Sequence, residues 1–144
     1  NRVYKETRIK NICPQLKELG IYGQTKLKKR LPVNIFDYDK NSLCELIAGL
    51  FDTDGYIGKD RLVLTASSKD LLEEIKNILI KIGVHSYVIK IDVSKYGNLN
   101  KKIKDVNDYY RLIITDFTSI VNFHKNICVV RQCEAREDRL VGLG

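Results

Sequence analysis

Two carboxylates, Asp52 and Asp54, stand two residues apart at the end of the run Leu46-Ile47-Ala48-Gly49-Leu50-Phe51, just ahead of Gly55. If that run is helical, both acids sit at the negative end of the peptide dipole, where a carboxylate is unfavourable by about 0.3–1 kcal/mol. Acids set against the dipole point either to a bound cation or to an Asx-type turn that closes the helix. Gly49 is a second anomaly, because a glycine inside a helix costs about 1 kcal/mol relative to alanine. It is tolerated where another backbone must approach closely. Ala48, Gly49 and Thr53 form a small-residue stripe suited to tight helix–helix packing. Other chemistry is thinner. His85 and His124 are far apart, and Cys13, Cys44, Cys128 and Cys133 lack CxxC spacing. That pattern points away from zinc and toward a reducing compartment.

Charge is distributed unevenly. Residues 1–31 hold nine basic side chains (Arg2, Lys5, Arg8, Lys10, Lys17, Lys26, Lys28, Lys29, Arg30) against Glu6 and Glu18. Residues 32–144 hold 16 groups of each sign, so the whole excess of +7 lies in the first fifth of the chain. Clustered Lys and Arg displace condensed counterions from nucleic acid, although a solvated basic arm has the same composition. A second basic run, Lys101-Lys102-Ile103-Lys104, falls in the polar stretch Ser94 to Asp108, which reads as a loop. With 144 residues, 44% hydrophobic, the chain can bury one domain's core. It has no apolar run of membrane-spanning length, and Asn1 to Lys10 is too polar for a signal peptide. The expected setting is the cytoplasm, or an organelle or nucleus holding its nucleic-acid partner.

The elements that must position these residues alternate. Pro14 to Leu19 reads as a short helix ended by Gly20, and Tyr22 to Asp39 as irregular, with Lys26 to Pro32 a basic connector. Ser42 and Glu45 form a capping box that opens a helix from Leu43 to about Asp52, with Gly55 able to take positive φ beyond it. Arg61 to Ser67 alternates as a strand, with Leu62, Leu64 and Ala66 on one face. Ser67 or Ser68 caps a helix from Lys69 to Ile82, stopped by Gly83. Tyr87 to Ser94 sets Tyr87, Ile89 and Ile91 against Val88, Lys90 and Asp92. Tyr109 to Thr115 sets Tyr110, Leu112 and Ile114 against Arg111, Ile113 and Thr115. Asp116 caps a last helix from about Phe117 to Asn126. From Asn41 the order is helix, strand, strand, helix, strand, strand, helix. It predicts an α+β domain with a four-stranded antiparallel sheet and helices on one face. Residues 1–39 read as a basic N-terminal segment and 40–144 as the folded unit.

The stretch Ile47-Ala48-Gly49-Leu50-Phe51-Asp52-Thr53-Asp54-Gly55 resembles the LAGLIDADG motif of homing endonucleases. Ile, Phe and Thr are conservative departures over nine consecutive positions. The αββαββα order read above is also that family's. Leu19-Gly20-Ile21-Tyr22-Gly23, followed by Lys29-Arg30-Leu31-Pro32, more loosely resembles the block ahead of the second motif in intein-encoded, two-motif members.

The resemblance implies site-specific cleavage of double-stranded DNA by metal-dependent phosphodiester hydrolysis. Ala48, Gly49 and Thr53 would pack against a second motif helix. Asp54, with Gly55 beside it, takes the position that holds Mg²⁺ or another divalent cation, where metals would activate a water and stabilise the leaving 3′ oxygen. Asp52 would shape the helix end, and Lys29 would polarise the water or stabilise phosphate charge. Lys29 belongs to the block before a second motif, so Lys125 or Arg131 is the weaker candidate for the basic residue of the present half. The sheet face turned from the core would lie in the major groove, with Arg61, Val63, Thr65, Ser67, Lys90, Asp92, Ser94, Arg111, Ile113 and Thr115 as candidate DNA contacts. Loop residues Lys101 and Lys102 join them. Few aromatics are expected on that face, which argues against a base-stacking RNA platform. Tyr22, Tyr56 and Tyr87 are expected to pack under the sheet.

One motif serves one strand, so the chain is expected either to homodimerise or to be half of a two-motif, intein-type protein. Asn1 at one end, and Leu143-Gly144 at the other, lack the residues of a self-splicing element. The resemblance also admits a module of the same fold that binds DNA or RNA without cleaving, as a maturase or transcription regulator does. It admits a purely structural assembly domain as well.

Overall fold

The computed structural model describes residues 12–93 and 108–129. Helix α1 (Ile12–Glu18) and a 3₁₀ turn (Ile35–Asp37) precede the motif helix α2 (Lys40–Asp54). Strands β1 (Gly55–Ile57) and β2 (Leu62–Ala66) follow, then helix α3 (Lys69–Lys81), strands β3 (Tyr87–Ile91) and β4 (Tyr109–Ile114), and helix α4 (Phe117–Asn126). From α2 onward this is the αββαββα order. The sheet is fully antiparallel in the order β1-β2-β4-β3, two hairpins joined through their inner strands.

The register sorts the sheet into two faces. Leu62 lies opposite Ile114, Leu64 opposite Leu112 and Ala66 opposite Tyr110, and this row of apolar pairs meets the helices. Helix α3 covers it with Leu72, Ile75, Ile78 and Leu79, all essentially buried at the spacing of one helical face. Helix α2 adds Leu43, Cys44, Ile47 and Phe51. Phe51 meets Phe123 of α4 edge-on, with ring centroids 4.9 Å apart, so the motif helix and the last helix lock together in the core. Leu31 and Ile35 join the same buried cluster, which packs the basic connector against the domain.

Three carboxylate or hydroxyl caps start the helices. The Asp39 carboxylate accepts from the Ser42 N–H at 2.9 Å, so α2 begins at Lys40. The expected Ser42 capping box is overturned: Ser42 serves as the donor of an earlier cap. Ser68 Oγ accepts from the Leu71 N–H at 3.2 Å and opens α3. Asp116 accepts from the Ser119 N–H at 2.8 Å and opens α4 at the expected residue. Gly20 and Gly83 take positive φ (73° and 77°) where α1 and α3 stop. Helix α1 runs two residues ahead of Pro14, which therefore sits in its first turn.

Two packing expectations are corrected. Tyr22, Tyr56 and Tyr87 do not pack under the sheet; all three are exposed. Tyr56 and Tyr87 sit at outward positions of β1 and β3, across from Val63 and Ile113. Among the described residues no helix is long and apolar enough to cross a membrane.

The caps make stability pH-dependent. The Ser119 N–H holds the Asp116 carboxyl below its ordinary range, and the Ser42 hydroxyl and N–H do the same for Asp39. A depressed folded value stabilises the fold above the unfolded carboxylate value of about 3.9, and that stabilisation fades as pH falls through the folded value. Asp116→Asn keeps a neutral cap. Its melting temperature, read by circular dichroism, is expected to fall below wild type near pH 7 and to converge on it below about pH 4.

Candidate metal and nucleic-acid site

Helix α2 runs directly into β1 with no connecting residue. Gly55 is both the C-cap, its N–H donating to the Phe51 carbonyl, and the first strand residue. Its φ of −93° is ordinary, which corrects the expected positive-φ turn. Glycine is required for space instead. A Cβ at residue 55 would lie 2.6 Å from the Cα, Cδ1 and carbonyl O of Phe51. The helix therefore extends through both acids, and Asp54 is its last residue rather than part of a turn after Asp52.

This junction sets where Asp54 stands. Gly55 pairs with Leu64, so Asp54, the last helical residue, stands immediately before the outer strand β1 begins. It is exposed, and among the described residues its carboxylate makes no hydrogen bond or ion pair. Asp52 is half-buried and does make an interaction. Among the described residues no three His, Cys, Asp or Glu side chains converge on a metal position. The fit is that of a hard cation held through one carboxylate at the negative end of a helix, with remaining ligands from water and phosphate. The Gly55 backbone lies next to that carboxylate.

The small-residue stripe divides. Ala48 is buried against the domain's own core, whereas Gly49 and Thr53 are exposed one turn apart. Among the described residues a Cβ at Gly49 would meet nothing within 4 Å, so packing among them does not explain the glycine. Thr53 Oγ1 turns back onto the helix and donates to the carbonyls of Leu50 (3.1 Å) and Gly49 (3.3 Å). Gly49 and Thr53 thus present only small groups at an exposed part of the helix.

The outer sheet face carries a shallow depression of about 260 Å³ lined by Tyr56, Arg61, Val63, Thr65, Arg111 and Ile113. Thr65 and Arg111 are cross-strand partners, as are Val63 and Ile113. Arg111 lies over the Tyr109 ring (5.6 Å to its centroid) and donates to Tyr109 Oη at 3.4 Å, which restricts its guanidinium. Thr115 is exposed just past β4, and Ser67 is half-buried just past β2.

Lys90 is not with them. It pairs with Tyr110 on the helix-side face, at the edge, and its ammonium bonds Asp108 at 3.0 Å, which raises its pKa. Asp92 follows the last residue of β3 on the same alternation. The outward residues of β3 are Tyr87, Ile89 and Ile91, opposite Ile113, Arg111 and Tyr109. So the expected grouping of Lys90 and Asp92 with Arg111 is overturned, and the face is richer in tyrosine than expected. The apolar half of β3 faces out, and the hydrophobic alternation that usually marks a core face gave the opposite sense. The pairing of β3 with β4 is the signal that resolves it. Ser94, Lys101, Lys102 and Arg131 lie outside the described residues.

The basic connector is partly committed to structure. Arg30 is paired with Glu74 and lies 3.9 Å from Asp70, which raises its pKa through the Glu74 hydrogen bond first. The Lys29 carbonyl accepts from Ser68 Oγ at 2.7 Å, while Lys26, Lys28 and Lys29 are exposed. Ser68 follows β2 as the N-cap of α3, so the Lys29 backbone is held at the β2–α3 junction. Lys125 is exposed in the last turn of α4.

Residues 41–128 match the family model described as a LAGLIDADG-like domain. Similar stretches occur in proteins of Methanocaldococcus jannaschii. The chain is 39% identical over 93 residues, 60% of its length, to an ATP-dependent DNA helicase Hel308, covering 8% of that protein. It is 29% identical over 110 residues, 76% of its length, to a replication factor C small subunit, covering 5% of it. It is 25% identical over 101 residues, 69% of its length, to a glutamine–fructose-6-phosphate aminotransferase, covering 8% of it. The chain thus spans less than a tenth of each of these relatives.

The junction geometry gives one direct test. Gly55→Ala forces the start of β1 away from Phe51 and is expected to cost about 1–3 kcal/mol, an overpacking penalty. The urea midpoint, compared with Gly49→Ala, measures it. Gly49→Ala has open space and the better helix former, so it is expected to gain up to about 1 kcal/mol.

Proposed function

The chain belongs to the LAGLIDADG-like domain family, and on that premise we propose that it is one catalytic half of a homing endonuclease. It hydrolyses phosphodiester bonds site-specifically in double-stranded DNA, with Mg²⁺ or another divalent cation, and needs a second motif helix from another copy or a complementary half. The observation that carries this is the end of α2: an exposed carboxylate with no protein partner among the described residues, set at the edge of the sheet whose outer face bears Arg61 and Arg111.

Each residue has a task. Asp54 holds the cation, with the Gly55 backbone fixing its position. A bound divalent cation supplies Lewis acidity toward water and neutralises phosphate charge. Asp52 braces the helix end. Lys29, if a second half completes its site, offers an ammonium to the phosphate. Gly49 and Thr53 meet the partner helix, which gives the glycine its reason. Arg61, Thr65, Ser67, Arg111 and Thr115 face the major groove, and Lys101 and Lys102 are further basic candidates for DNA contact. Residues 1–39 are the tail of a preceding subdomain or a linker.

An intein context fits the pattern of relatives. A helicase, a replication factor C subunit and an aminotransferase share no chemistry by name, yet each contains a stretch like this one. A self-inserting element carried within unrelated hosts accounts for that.

Two experiments test the reading. Asp54→Asn is expected to abolish Mg²⁺-dependent nicking of a cleavable duplex while leaving DNA affinity within about twofold. Nicking that survives the change overturns the assignment, and binding without cleavage in the wild type favours the binding-only module. Light scattering at high micromolar concentration tests the pairing face. A homodimer of twice 16.6 kDa is expected to fall to monomer on Gly49→Leu, which the open space tolerates in the monomer. A wild-type monomer means the face awaits a different half.

A further inference from the structure

The register places four outward residues abreast across the sheet, Tyr56, Val63, Ile113 and Tyr87, one from each strand. With strands about 4.8 Å apart, this row spans roughly 14 Å. The major groove is about 12 Å wide. None of the four carries charge. The next outward row holds Thr65, Arg111 and Ile89, and Arg61 precedes β2 on the other side, so the apolar row lies between two guanidinium groups. No acidic residue occupies an outward position in the described strands. Tyr56 is 59% and Tyr87 45% exposed, whereas Val63 and Ile113 form the half-buried floor of the central depression.

A polyanion is favoured by this charge pattern, yet the centre of the face offers only methyl groups. In the major groove one base feature answers methyl groups, the 5-methyl of thymine. Tyrosine hydroxyls at the two margins suit phosphate and sugar oxygens, which border the groove. We infer that Val63 and Ile113 select T·A base pairs through thymine methyl contacts, with Tyr56 and Tyr87 holding the backbones on either side. This rests on the DNA-cleaving reading above and adds the base class that the centre of the face prefers.

The test uses the full chain and a randomised duplex pool. Duplexes retained over successive rounds are expected to be enriched in T·A at one or two fixed positions. Replacing those thymines by deoxyuridine removes only the methyl and is expected to weaken binding about fourfold per base, the worth of one buried methyl. Val63→Ala is expected to bring the thymine-to-deoxyuridine ratio at one position close to one, with the salt dependence unchanged. Steep salt dependence with equal affinity for thymine and deoxyuridine duplexes overturns this inference and leaves the DNA reading intact. No duplex binding overturns both. Tighter retention of a randomised single-stranded pool also overturns it, since the tyrosines then stack bases.

Discussion

The junction of α2 with β1 is the constraint on which the rest depends. A helix and a strand that share an end with no residue between them need a backbone with no side chain at the crossing. Gly55 meets that need against Phe51. Phe51 in turn is held edge-on by Phe123 of α4. The last carboxylate of the helix is thus fixed through two aromatic rings and the central strands, not through a flexible turn. An exposed acid gains positional precision from a buried scaffold.

The two faces of the sheet divide the work. Inside, Leu62, Leu64, Leu112 and Ile114 make the floor on which α2, α3 and α4 rest. Outside, uncharged and cationic rows alternate along the strands, with Arg111 steadied by Tyr109. The basic excess of the first 31 residues is not all free for a polyanion. Arg30 is spent on Glu74 and Asp70, and its neighbours Leu31 and Ile35 anchor the connector in the core.

Much of this was legible in the sequence. Asp116, Gly83 and the 3.6-residue recurrence in α3 mark real boundaries, because caps and periodicity act locally. The nine-residue motif marks the helix, although its expected end is near Asp52 and it runs on through Asp54. Where local signals competed, they misled. Ser42 and Glu45 satisfy the capping-box pattern, yet Asp39 lies one turn earlier and takes the Ser42 N–H. Gly55 resembles a left-handed terminator and is instead a steric necessity. In β3 the hydrophobic alternation is genuine but reversed in sense, since Tyr87, Ile89 and Ile91 face outward. Period alone fixes two faces and not which is inside; only pairing with β4 decides. The exposure of Gly49 likewise depends on tertiary contacts that spacing does not encode.

Ser68 differs from the other two caps in a way its surroundings explain. Its hydroxyl accepts from the Leu71 N–H and donates its proton to the Lys29 carbonyl, 39 positions away. A carboxylate caps a helix as well as serine does, as Asp39 and Asp116 show, but it has no hydrogen to give. Aspartate at this buried place would turn a lone pair toward the Lys29 oxygen, acceptor against acceptor. The identity of one small side chain therefore records a bipolar requirement, and its shared proton adds a backbone tie to the hold that Arg30, Leu31 and Ile35 give the upstream segment.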